Sequence, residues 1–339
     1  MWRVVTAVCC GSSRQPLMPG PWTCQQRPGS SIVTLWAWGD LATIALKIDV
    51  DTFRGTREGV PRLAHVLTQV GARATFLFSV GPDHTGRAIK RVFRPGFMGK
   101  VKRTSVVEHY GLKTLMYGVL LPGPHIGRRC RSFMHDIARA GFEVGVHTYD
   151  HIKWQDSVAR ASEPWTRREL TLALDEFVEI FGQRPSVHGA AGWQVNEYVP
   201  ALEQQLGFRY ASDTRGVCPF VPVVGGVEVA VPQLPTTLPT LDELIGRPDL
   251  EGVDPVDHLL ALTTQDEQRD HVFTLHAELE GGAYLQSFER LLRTWRARGV
   301  QLTDLVTYAG TLDINKLPRC KIVEGSVPGR SGVLALQAH

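Results

Sequence analysis

From residue 44 onward, short runs of β-branched and apolar residues alternate with longer stretches in which apolar residues recur every three or four positions. Residues 44–50, 74–79, 142–146, 186–190, 208–212 and 272–275 read as buried strands bounded by polar or turn residues. Helical periods fill the spaces between. The stretch 60–70 carries Pro61 in its first turn and stops at Gly71, and 131–140 stops at Gly141. The clearest helix is predicted over 166–181: Thr166 and Glu169 form a capping-box pattern, and Leu170, Ala173, Leu174, Phe177, Val178 and Phe181 keep the apolar period. Asn196 is expected to cap a helix running to 205, and a last helix over 284–298 buries Leu285, Phe288, Leu291, Leu292 and Trp295. Repeated strand-then-helix units predict an α/β fold whose parallel sheet is covered by helices, and their number favours a barrel.

The polar residues that interrupt this pattern share one structural position. Asp49, Asp51, His147, Asp213 and His276 each fall at the C-terminal end of a predicted strand. Barrel enzymes place their chemistry there. In a strand, residues i and i+2 leave from the same face, so Asp49 and Asp51 reach one cavity. In His147-x-x-x-His151 the i, i+4 spacing puts both imidazoles on one face of a helical turn, where they can bind one ion. Two histidines and one carboxylate leave an open coordination position, and an ion so held lowers the pKa of bound water from 15.7 to about 7. The second carboxylate is then free to handle protons.

Composition narrows the partners. Across 339 residues the formal net charge is +3, too small to imply nucleic-acid binding. No run reaches the length of a membrane-spanning helix. The cysteines at 9, 10, 24, 130, 218 and 320 show no CxxC spacing and no disulfide framework. Residues 1–42 contain a single acid, Asp40, and no sustained period, so they are expected to be an unstructured extension or the product of a start assigned too far upstream. The barrel is expected over 43–310, with a tail over 311–339 packed on it. An insertion over 83–127 breaks the rhythm: Arg87, Lys90, Arg91, Arg94, Lys100, Lys102 and Arg103 occur without an acid among them, with Phe93 and Phe97 between. Such a basic and apolar stretch suits an anionic membrane surface, or else a solvated helix face over the barrel.

The order Asp-x-Asp, His-x-x-x-His, a small-residue strand end, Ser212-Asp213 and Leu275-His276 resembles the NodB-type polysaccharide deacetylases, a carbohydrate esterase family. That resemblance implies a distorted (β/α) barrel of about seven strands. It further implies Asp51, His147 and His151 as metal ligands, Asp49 as general base and His276 as general acid. The bound ion would be zinc, or else cobalt, manganese or nickel. Less generic segments, among them 49–61, Ala190 to Trp193, Ser212 to Gly216, 232–240, Thr274 to Glu278 and Val327 to Arg330, are similar to one subgroup, the 4-deoxy-4-formamido-L-arabinose-phosphoundecaprenol deformylases. The likeness covers roughly residues 44–337.

A member of that subgroup would act on a lipid-linked amino sugar at the cytoplasmic face of the bacterial inner membrane, in lipid A modification and polymyxin resistance. Asp213 would then orient His276 and Arg215 would meet the substrate phosphate, or both would serve a structural turn over Ser212 to Gly216, and Trp193 would support or line the substrate site. The chain departs from many relatives at the third motif, where His188-Gly-Ala-Ala-Gly192 replaces an Arg beside the base. The alternatives are a peptidoglycan or chitin N-deacetylase and a non-catalytic lipid-phosphate binding protein. Oligomeric state is silent in the sequence.

Overall fold

The computed structural model describes residues 42–88, 114–265 and 269–338. In chain order its principal elements begin with β1 (Thr43–Val50), α1 (Val60–Val70), β2 (Thr75–Ser79), α2 (Ile126–Arg139) and β3 (Glu143–Thr148). They continue with α3 (His151–Ser157), α4 (Glu163–Phe181), β4 (Val187–His188), α5 (Val199–Leu206) and β5 (Tyr210–Ala211). After β6 (Val221–Val224), β7 (Val227–Glu228), α6 (Leu241–Leu244) and α7 (Pro255–Gln265) come β8 (His271–His276), α8 (Leu285–Ala297) and β9 (Gln301–Thr303). The last elements are α9 (Leu305–Gly310), β10 (Arg319–Cys320), β11 (Ile322–Gly325) and β12 (Leu334–Gln337).

Seven parallel strands form the main sheet, in the order β5-β4-β3-β2-β1-β8 with β9 also on β1. The sheet curls into a half-barrel, and among the described residues no continuous ladder joins β5 to β8. An extended segment bridges that opening: Leu234 N–H donates to Ala211 O, and Thr237 N–H donates to Val272 O. Pro232, Pro235 and Pro239 lie along it, and each lacks the N–H that a regular strand needs. Proline chemistry therefore accounts for a barrel that is distorted at this point.

Both faces of β1 are buried, with opposite contents. Ile44, Leu46, Ile48 and Val50 join Phe76, Phe78, Phe177, Phe273, Phe288 and Trp295 in the large core under the helices. Ala45 packs with Leu77, Val187, Leu234 and Val272 inside the barrel. The period-2 alternation of a strand then brings Lys47, Asp49 and Asp51 up that inner face in steps. Gly145 on β3 is required by the tight interior, since a Cβ there would lie 2.3 Å from Val187 Cγ1 and 2.8 Å from Leu77 Cδ2.

Several element boundaries differ from expectation. Tyr198, not Asn196, takes the N-cap of α5, which begins at Val199, and the expected strand over 186–190 shortens to Val187–His188. Helix α4 starts at Glu163, three residues before the expected box, because Pro164 suits the first turn and Ser162 takes the N-cap. Thr166 lies inside the helix and its hydroxyl donates to Ser162 O. Helix α2 begins at Ile126 rather than 131. The expected strand over 208–212 shortens to Tyr210–Ala211.

Between Asp51 and α1 a π-helical turn spans Gly55–Gly59, and a Cβ on Gly59 would lie 2.0 Å from Ala277 O. Gly59→Ala is therefore expected to destabilise the fold by about 1–3 kcal/mol, the usual range for overpacking. An unchanged urea midpoint would refute this.

Candidate active and metal site

Asp51 is the first residue after β1, on the inner side of the barrel mouth. His147 lies on β3 where the pairing with β2 shifts: Phe78 opposes Val146 but Ser79 opposes Thr148. The bulge leaves His147 opposite no partner residue and turns the strand end inward. Asp150 then caps α3, its carboxylate accepting from Lys153 N–H at 3.1 Å. That cap makes His151 the first residue of the helix, one turn from the strand end.

These side chains converge. Asp51 Oδ1 lies 3.3 Å from His147 Nε2 and 3.4 Å from His151 Nε2, and the two imidazole rings are 5.3 Å apart. One ligand atom from each of the three falls within 4.8 Å of the others. Asp51 Oδ1, the oxygen that faces both imidazoles, is buried and makes no hydrogen bond. Buried lone pairs without partners normally signal a missing ligand, and an O, N, N donor set at this spacing fits one divalent cation. Burial alone would raise the Asp51 pKa, but the adjacent His151 and His147 hold its carboxyl far below the usual range.

Asp49 sits one step deeper, its Oδ1 3.8 Å from His147 Nδ1 and its Oδ2 3.5 Å from Lys47 Nζ. Lys47 is fully buried, donates to Ser212 O at 2.8 Å and lies 5.3 Å from the centre of the Trp193 ring. A positive partner for Asp49 thus comes from β1 itself, where the third motif supplies no arginine. Plain strand alternation could have identified it.

His276 ends β8 as the register partner of Asp49. Its backbone N–H donates to Glu280 Oε2 at 2.8 Å, and its Nδ1 lies 4.0 Å from Asp242 Oδ1. Burial opposes the imidazolium, but Asp242, Asp51, Asp49 and Glu280 outweigh it and raise the His276 pKa. Two further acids brace this end of the barrel. Glu278 Oε1 accepts from the backbone N–H groups of Asp51 and Thr52 and from the Thr52 hydroxyl, and burial with the Asp51 charge pushes its carboxyl up to about 8. Burial likewise pushes Glu280 up to about 7. Neither acid was singled out in the sequence, although both follow His276 at even spacing.

The expected partnership of Asp213 with His276 is not what the structure contains. Asp213 Oδ1 lies 3.1 Å from His188 Nδ1 and accepts from Ala190 N–H, while Oδ2 accepts from Gln233. His188, Glu203 and Asp213 form a fully buried cluster in which both acids push the histidine up to about 10 despite its burial. The cluster ties β4 and β5 to the loop that carries Trp193.

Arg215 also departs from expectation. It donates to Glu243 at 2.6 Å and to the carbonyls of Thr236 and Leu238, so its guanidinium is consumed within the fold. Trp193 is buried and holds a left-handed backbone with φ 54°. Its ring stands edge-on to His276 at 6.4 Å, so it packs directly against the imidazole. Of the expected docking residues, Arg87 is exposed and donates to Gly118 O. Lys90, Arg91, Phe93, Arg94, Phe97, Lys100, Lys102 and Arg103 lie outside the described residues. Among the described residues, no helix is long and apolar enough to cross a membrane.

Comparison with known proteins agrees with this geometry. Residues 42–211 match the family profile described as polysaccharide deacetylase. A protein of Shewanella sediminis, named as probable 4-deoxy-4-formamido-L-arabinose-phosphoundecaprenol deformylase ArnD, is 34% identical over 303 residues, covering 88% of this chain and 96% of its own. A protein of the same name from Wigglesworthia glossinidia brevipalpis is 32% identical over 287 residues, covering 84% of this chain and 98% of its own. A solved structure from Mycobacterium smegmatis, named for polysaccharide deacetylase, shares the fold with a TM-score of 0.58 at 19% identity over 86% of this chain and 98% of its own. The chain therefore belongs to the polysaccharide deacetylase family and, with it, to the hydrolases that act on amides.

Proposed function

We propose that this protein removes the formyl group from 4-deoxy-4-formamido-L-arabinose carried on undecaprenyl phosphate, releasing formate and the free amino sugar. The observation that carries the reading is the meeting of Asp51, His147 and His151 around one point, with Asp49 and His276 on adjoining strands beside it. The relatives named as deformylases narrow the acyl group and the sugar.

Asp51, His147 and His151 would hold a divalent cation, zinc by the chemistry of the donors, with cobalt, manganese or nickel able to take its place. When bound, such an ion polarises the amide carbonyl and makes water acidic enough to attack at neutral pH. Asp49, steadied by Lys47, takes a proton from the attacking water as its oxygen adds to the formyl carbon. His276 gives its proton to the sugar nitrogen as the carbon–nitrogen bond breaks, because an amide cannot expel an unprotonated amine anion. The free amine lowers the negative charge of the lipid it decorates, which is the chemistry of lipid A modification and polymyxin resistance.

A polyprenyl chain keeps such a substrate in the bilayer, since even a single acyl chain partitions measurably. The enzyme then works as a peripheral protein at the cytoplasmic face of the inner membrane, with the basic and aromatic insertion as its contact. Incubating the metal-loaded protein with the formamido lipid and its acetamido analogue, and weighing the products by mass spectrometry, tests the reading. We expect conversion of the formamido lipid, faster in liposomes that contain anionic lipid. Preference for the acetamido analogue would refute the deformylase assignment. A rate indifferent to anionic lipid would remove the membrane contact.

A further inference from the structure

Val327-Pro328-Gly329-Arg330 is the sequence of a tight turn, with proline second and glycine third. The Arg330 N–H donates to Val327 O at 3.3 Å, and Gly329 has φ 81°. Glycine is required for a second reason: a Cβ at 329 would lie 1.9 Å from Glu243 O. The turn is thus seated on α6, and it carries the Arg330 side chain across the face of Trp193, with the guanidinium carbon 4.4 Å from the ring centre. Trp193 stands 6.4 Å from the His276 ring. Together these separations put the Arg330 guanidinium within about 11 Å of the proton donor.

Arg330 has five donors and has spent few of them. Among the described residues its side chain makes one long hydrogen bond, to Gly192 O at 3.5 Å, and one loose ion pair, to Glu243 at 3.8 Å. Glu243 is already held at 2.6 Å by Arg215. Around the Trp193 ring, Lys47 is paired with Asp49 and Arg215 with Glu243, and Arg330 has only the looser share of Glu243. Arg330 is thus the most loosely paired of the three, and its side chain is only 13% exposed and so is poorly screened by water. A sheltered guanidinium with an open fork matches a phosphate better than any other common anion except a carboxylate.

We propose that Arg330 binds the phosphodiester of a glycosyl phosphate substrate, on the far side of the sugar from the amide that is cleaved. One pyranose ring separates a 4-amido nitrogen from an anomeric phosphate, a width that fits inside the bound set by Trp193. Arg330 thereby takes the role that the sequence suggested for Arg215. The inference rests on the reading of the active centre given above.

The experiment compares wild type, Arg330→Gln and Arg330→Lys, each first confirmed as folded by circular dichroism and thermal melting. Two substrates are used: the formamido sugar as a short prenyl phosphodiester, and the same sugar as its uncharged methyl glycoside. For Arg330→Gln we expect KM for the phosphodiester to rise tenfold or more with kcat within about twofold, and the glycoside to be unaffected. Arg330→Lys should recover part of the loss. Equal losses on both substrates, or no change with the phosphodiester, would overturn the proposal.

A binding arm keeps this separate from the deformylase reading. The same prenyl phosphodiester and inorganic phosphate are titrated into each protein by calorimetry. Failure of the wild type to hydrolyse either substrate would defeat the deformylase reading alone. In that case binding of the phosphodiester that is lost in Arg330→Gln still supports the arginine site, and binding that persists overturns it. Inorganic phosphate binding as tightly as the diester would also overturn it, by showing a site for the free ion.

Discussion

Asp51→Asn is expected to empty the metal site and abolish turnover. The substitution keeps the volume of the side chain and removes its charge, at the one oxygen that faces both His147 Nε2 and His151 Nε2. Without the carboxylate, two neutral imidazoles must hold the cation alone. Loss of Lewis-acid assistance is worth several kcal/mol, and at about 1.36 kcal/mol per tenfold the rate should fall by roughly three orders of magnitude. Metal content measured after dialysis should drop from near one ion per chain to near none. Thermal stability provides an independent measure, because an ion that binds only the folded state raises the melting temperature. Chelator should therefore lower the wild-type melting temperature and leave that of Asp51→Asn unmoved. A variant that keeps stoichiometric metal and normal turnover would remove Asp51 from the ligand set.

His276→Ala should give the complementary result: turnover falls by about 10²–10⁴ while the metal stays. The backbone bond from residue 276 to Glu280 does not need the imidazole, so the strand end should persist. The defect should depend on the leaving group. A substrate whose departing group needs no proton, such as an activated aryl ester, should lose far less than the amide. The direction of the His276 shift sets the pH dependence: Asp242 and the neighbouring acids keep the imidazolium protonated above the ordinary pKa of about 6.5. A general acid is lost as pH rises through its own pKa, so the alkaline decline of wild-type activity should begin above that ordinary value and be absent in the variant. Loss of metal along with turnover would show that His276 is a ligand rather than the acid.

Local periodicity made much of the centre legible. The alternation along β1 placed Asp49 and Asp51 on one face, and the i, i+4 spacing paired His147 with His151, because such relations depend only on the geometry of a strand and a helical turn. Position at strand ends brought in His276. Helix starts were less legible, as at Glu163, because capping boxes are short patterns that a nearby proline can displace. The roles of Asp213 and Arg215 could not be read from their neighbours in sequence. Each is decided by partners far along the chain: His188 and Gln233 for the first, Glu243 for the second.

The chain's own pattern determines a parallel α/β barrel and the residues that reach its mouth, since both follow from side-chain periodicity and burial. Only the tertiary structure decided which charges are neutralised. Lys47 is taken by Asp49 and Ser212 O, Arg215 by Glu243, and Arg330 is left with its donors largely unspent. The physical reason is that a buried charge is balanced by whatever groups the fold brings within a few ångströms, and here those groups come from segments separated by up to about 165 residues.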